Sequence, residues 1–239
     1  MQTRNTSDAL LLGLCLLIGL ALLGYLLGDA AIRYKEYERT VIVKGLSERE
    51  FPADIVIWPI QFTSADNDLE SLYQTIEINT GKISDFLLEQ GIAASEISAT
   101  PPTIVDKAAQ RFSDGPVGEF RYSAVQAVTV YSSQVDRVRT VMGRLAALGR
   151  QGIAFTGGDY ENQTEYLFTR LNEVKPEMIQ EATTKAREVA ETFARDSNSR
   201  LGKIRQASQG QFSIDARDKN NPHIKKVRVV STVEYYLSD

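Results

Sequence analysis

His223 is the only histidine in the chain and Cys15 the only cysteine, so any site built on imidazole or thiolate has one ligand of each kind at most. A hydrolytic zinc centre needs two or three such ligands together, and neither HExxH nor an imidazole triad can be assembled. A Ser-His-Asp relay would have to use His223, which lies in the basic stretch Asn220-Asn221-Pro222-His223-Ile224-Lys225-Lys226. That setting reads as an exposed hairpin histidine rather than a general base. No GxSxG occurs, and Gly149, Gly152, Gly157 and Gly158 match neither a phosphate-binding loop nor GxGxxG. Asp66, Asp68 and Glu70 have the composition of a hard-cation site, but helix capping accounts for the two aspartates and the EF-hand spacing is missing. Lys219, Lys225, Lys226 and Arg228 form a basic group that suits a strand edge guarded against sheet-to-sheet pairing; lipid headgroups or an acidic partner are the alternatives. Asn162-Gln163-Thr164 is a glycosylation sequon by pattern only. The expectation is therefore no catalytic residue, no metal, no cofactor and no enzyme.

The elements that would carry such residues begin with the composition. The chain has 239 residues, 43% hydrophobic and 24% charged, with a net charge of -4. This excludes a disordered chain, a collagen-like repeat and a disulfide scaffold. Basic residues are spread along the sequence, which gives no electrostatic reason to expect nucleic-acid binding.

After a tail at residues 1–8, residues 9–27 contain no charged side chain. Nineteen residues at 1.5 Å rise make a helix of about 28 Å, near the thickness of a bilayer hydrocarbon core. No polar stripe interrupts it, as a soluble core helix would require. A cleaved signal peptide is the competing reading, yet the run exceeds an ordinary h-region and Gly28-Asp29-Ala30 is only a fair cleavage site. An uncleaved anchor is favoured. Arg4 precedes the span while Arg33, Lys35, Arg39 and Lys44 follow it, a count that by itself leaves the C-terminal region in the cytoplasm. Cys15 lies inside the run and can form neither a disulfide nor a zinc site alone. Residues 28–39 form a charged connector without proline that can prolong the helix.

From Thr40 the pattern is two strands and a helix, repeated. Val41 to Val43 and residues 55–62 read as strands around a polar turn, with Val56, Trp58, Ile60 and Phe62 on one face. Pro59 points to an edge or a bulge. Asp66-Asn67-Asp68 offers an N-cap to a helix carrying Leu69, Leu72, Tyr73, Ile76, Ile83 and Leu87, stopped by Gly91. Strands at 97–105 and 120–132 flank a loop at 107–119. A second helix uses Val135, Val138, Val141, Met142, Leu145 and Leu148 and stops at Gly149; short strands follow at 153–155 and 166–168. The third helix takes Pro176 in its first turn and presents Met178, Ile179, Ala182, Ala186, Val189, Ala190 and Phe193 as a closely packing stripe. Strands at 203–214 and 226–237 end the chain. The fold class expected is α+β, mainly antiparallel sheet covered by long helices, with 40–239 as one domain after the membrane helix.

The stretches VKGLSEREFPADIVIWPIQF, KPEMIQEATTKAREVAETFARDSNSRLGKIRQASQGQFSI and KKVRVVSTVEYYL resemble the SIMPL domain family of exported or membrane-anchored bacterial proteins. The resemblance implies helices packed on antiparallel sheet and a domain in the bacterial periplasm. Some family members form large rings, and others are linked to oxidative-stress tolerance or kinase binding. The family has no established catalytic residues to carry over, and many members have a cleavable signal peptide where this chain has an uncleaved-looking anchor. The leading expectation is a non-enzymatic, membrane-anchored periplasmic homo-oligomer serving as scaffold or envelope-stress component, with Phe51, Trp58, Arg111 and Phe112 as interface residues. The alternative is a monomeric module that captures a protein or peptide by strand addition. A third, an enzyme acting through convergent carboxylates of perturbed pKa, would leave no trace in a sequence.

Overall fold

The computed structural model describes residues 6–36, 39–109, 119–156 and 163–238. Helix α1 (Thr6–Glu36) contains Leu10–Ile32, whose mean hydropathy is 2.7 and none of which is buried. Its 23 residues are long and apolar enough to cross a bilayer, a form shared by membrane anchors and signal sequences. The helix continues to Glu36, so the connector prolongs it as its sequence suggests. There follow β1 (Thr40–Pro52), β2 (Ile55–Asp66), α2 (Leu69–Glu89), β3 (Ile97–Ala99), β4 (Thr103–Asp106), β5 (Tyr122–Ser132), α3 (Val135–Met142) and α4 (Ala146–Gly149). The remainder is β6 (Ala154–Phe155), β7 (Glu165–Leu167), α5 (Leu171–Asp196), β8 (Arg200–Gln209), β9 (Ser213–Ala216) and β10 (Ile224–Ser238). The architecture is α+β: β10 pairs antiparallel with β8, β2 with β5, β6 and β7, and β5 also with β3 and β4.

Residues 40–239 show no linker, yet the chain forms two compact units. One comprises Met1–Glu48, Lys175–Phe212 and Arg228–Asp239; the other comprises Arg49–Val174 and Ser213–Val227. Because β1, α5 and β10 each run from one unit into the other, no composition shift marks the boundary.

In the second unit β5 and β2 pair in unbroken register from Val56 opposite Ser132 to Asp66 opposite Tyr122. Strands β3 and β4 pair with β5 on its other side, and β6 and β7 pair with β2. Val56, Trp58, Ile60 and Phe62 share one buried face with Ala124, Val128 and Val130, against Leu72, Ile76, Ile83 and Leu87 of α2 and Val135, Val138 and Val141 of α3. Pro59 is neither in an edge strand nor at a bulge. Its strand is central, but β7 pairs only with residues 55–57 and β6 only with 62–63. The Gln61 carbonyl faces that side, accepting from Thr156 N–H at 3.0 Å. By the two-residue period Pro59 faces the same gap, so its missing N–H removes no ladder bond there among the described residues.

Several boundaries differ from expectation. No polar turn follows Val43: β1 runs on through residues 44–50, with Gly45 and Ser47 taking the buried positions of its alternation. The 97–105 strand is broken by Pro101-Pro102 into β3 and β4, because two successive residues without N–H cannot continue a ladder. The second helix ends at Met142, Gly149 lies inside α4, and Gly152 at φ +89° takes the left-handed position that closes the segment. The 203–214 strand is likewise two pieces, β8 and β9.

The first unit contains the sheet β1-β10-β8, with β9 also pairing β10. Arg39 accepts from Leu237 N–H at 2.8 Å, and Arg228 meets Glu48 at 3.7 Å, so β1 and β10 run in opposite senses. Helix α5 covers one face. It begins at Leu171, five residues before the expected start, with Pro176 inside it. Proline φ is helical, and the lost N–H deprives only the carbonyl of Asn172, an exposed residue. Met178, Ala182, Ala186, Ala190 and Ala194 are buried at a strict spacing of four, whereas Val189 and Phe193, expected in the stripe, are 41% and 56% exposed. The alanines let α5 approach β1 so closely that the carbonyl of Ala182 and the amide of Ala186 occupy the place of a Cβ on Gly45.

Candidate functional site

His223 sits in the turn before β10, half-buried, with its ring edge-on to Tyr166 at 6.1 Å. Its carbonyl accepts from Ala53 N–H at 2.8 Å. Burial lowers the imidazole pKa, and the Arg139 charge lowers it further. The Tyr166 hydroxyl faces Met142 Sδ at 3.9 Å, and burial raises its pKa. Among the described residues nothing hydrogen-bonds the His223 ring, so the group packs as a neutral imidazole with no nucleophile attached.

The acidic group at 66–70 resolves into a helix cap. Asp66 accepts from the Ser71 hydroxyl at 2.6 Å and from the amides of Asn67 and Asp68, and the Ser71 bond is the main cause of its lowered pKa. Asp68 is the N-cap of α2, accepting from Ser71 N–H at 2.8 Å. Among the described residues no three His, Cys, Asp or Glu side chains are grouped to hold a metal ion. The basic cluster is similarly divided: Arg228 meets Glu48, while Lys225 is half-buried and its pKa is lowered by that burial.

The expected interface residues do not come together. Trp58 is 5% exposed in the core, because its face of β2 is the one that α2 and α3 cover. Phe51 is half-buried and stacks on Phe168 with ring centroids 5.1 Å apart. Arg111 and Phe112 lie outside the described residues.

An uncovered surface exists elsewhere, on the sheet of the first unit. The face of β1 opposite α5 carries Ile42, 65% exposed, and Leu46, 40% exposed. Beside Ile42, a shallow depression is lined by Gln206, Ser208, Thr232 and Glu234. Arg205 pairs with Glu234 at 2.9 Å on its rim. Strand β8 is exposed at every position but Leu201, and among the described strands it pairs only with β10. Among the described residues the face thus offers apolar side chains together with unpaired strand edges, the composition of a contact surface. Ile42 and Leu46 were legible as a second apolar row in β1, but only the structure shows that no described helix covers them.

A family model, SIMPL, described as a protein of unknown function (DUF541), matches residues 41–234. That stretch begins at the second residue of β1 and ends inside β10, enclosing every helix after α1. The chain belongs to the SIMPL family. Among curated proteins none matches it. The SIMPL region takes in the whole second unit and, of the first, everything but residues 1–40 and 235–239, so that α1 stands ahead of it.

Proposed function

We propose that this SIMPL chain is a non-enzymatic, membrane-anchored protein of the bacterial inner membrane, with its SIMPL region in the periplasm. There it self-assembles as a scaffold or envelope-stress component. One observation carries the reading: among the described residues none covers the face of the first unit's sheet opposite α5 or the β8 edge, and Ile42 and Leu46 stand exposed on that face. Exposed edges of this length are ordinarily blunted or paired, and a second copy supplies the pairing without a further protein. Anchoring rests on the 23-residue apolar helix, whose length exceeds an ordinary signal h-region.

Light scattering on the full chain in mild detergent tests assembly, with Ile42→Asp/Leu46→Asp beside it. Both residues are exposed, so the variant keeps its circular dichroism, and it loses the oligomer if this face is the interface. A monomeric wild type that retains a stoichiometric second protein after envelope crosslinking would favour strand addition at β8 by a partner instead. Protease treatment of spheroplasts tests topology: degradation from outside supports export, and protection contradicts it.

A further inference from the structure

The pole of the first unit where β1 begins is joined to the apolar helix by residues 33–39 alone. Fully extended, seven residues span at most about 25 Å, and α1 shortens this by continuing to Glu36. Whatever surrounds Thr40 is therefore held close to the surface of any membrane that Leu10–Ile32 crosses. The hydrogen bonds of Arg39 define that surrounding. Arg39 accepts from Leu237 N–H at 2.8 Å and donates to Ser199 Oγ at 3.2 Å. Ser199 belongs to the α5–β8 turn, in which Ser197 N–H donates to the Phe193 carbonyl and Asn198 has φ +53°.

Aromatic and basic side chains are exposed at this pole, with the exposed acid Asp196 beside them at the end of α5. Phe193 in the last turns of α5 is 56% exposed, and Tyr236 near the end of β10 is 39% exposed. Arg200 and Lys203 are exposed on β8. Between residues 195 and 210 the charged side chains are Arg195, Arg200, Lys203, Arg205 and one acid, Asp196, and Arg205 is occupied by Glu234. Aromatic rings with lysine and arginine are the pairing enriched at membrane–water interfaces, where rings enter the headgroup layer and cations meet lipid phosphates.

We propose that this pole, with Phe193 and Tyr236 as inserted rings and Arg200 and Lys203 as phosphate contacts, docks on the anionic surface of the bilayer that α1 crosses. The inference rests on the anchor reading, and a separate readout keeps the two apart. The lone Cys15 makes spin labelling selective. In vesicles of phosphatidylcholine with phosphatidylglycerol, the label is placed on native Cys15 in the full chain, and on Phe193→Cys or Gln211→Cys in a Cys15→Ser background. Gln211 is exposed and belongs to the same unit, beyond the far end of β8. Cys15 should show the oxygen accessibility of the hydrocarbon core, position 193 that of the headgroup layer and position 211 that of water. Arg200→Gln and Lys203→Gln should each lower the docked-to-free ratio at position 193 about fivefold, and pure phosphatidylcholine should lower it further. If Cys15 lies in the core while position 193 is as wet as 211, docking is refuted and anchoring stands. If Cys15 is wet, both fall. If protection at 193 grows with protein density rather than anionic lipid, a second copy covers the patch and the proposal is overturned.

Discussion

Three residues show how the surroundings of a position fix what it can do. Glycine at position 45 is required because α5 backbone fills the space a methyl would need. Gly45→Ala should destabilise the protein by about 3 kcal/mol, read as a lower urea midpoint at unchanged slope; a shift within experimental error would contradict the packing described. His223 has a native pKa below its ordinary 6.5, from burial first and Arg139 second. As pH falls, the unfolded chain therefore binds the proton before the native one does. Stability contributed by His223 is complete above about pH 6.5 and is lost from there down to the lowered native pKa. The urea midpoint of the wild type should fall more steeply between pH 7 and pH 5 than that of His223→Gln. Equal slopes would show that the imidazole is solvated. Asp218 acts one step lower on the scale. Hydrogen bonds from Arg217 first and then Asn221 bring its pKa from 3.8 to about 2, so its contribution persists until the pH falls through that window.

At the scale of elements, the cap of α2 separates a structural carboxylate from a metal ligand. Asp68→Ala should lower stability by about 1 kcal/mol, the usual loss of an N-cap, and millimolar calcium should leave the wild-type melting temperature unchanged. A rise in melting temperature with calcium would reverse that assignment. Much of this layer was legible in the sequence. The α2 periodicity, the Asp68 cap, the Gly91 stop at φ +81° and the alternation of β5 and β10 all follow from local chemistry. What failed locally failed for a tertiary reason. Residues 44–50 of β1 look like a turn because their buried positions hold Gly45 and Ser47, small residues selected by the closeness of α5. Val189 and Phe193 continue the apolar spacing of α5, but the sheet beneath accepts only the alanine row. The interface residues were the least legible. Trp58 and Phe51 are large and apolar, and nothing in a sequence distinguishes a ring packed on α2 and α3, or on Phe168, from one awaiting a partner.

At the scale of the whole molecule, the SIMPL region presents a sheet with one face closed by α5 and the other left open by the described residues, and it follows in sequence a helix able to cross a bilayer. An apolar open face and an unpaired edge are liabilities in a monomer and assets in an assembly. The measurement that tests this most directly is the absolute mass of the full chain in mild detergent, with and without Ile42→Asp/Leu46→Asp. A discrete species of several protomers is expected for the wild type and a folded monomer for the variant. A monomeric wild type, or a variant that keeps the wild-type mass, would contradict it.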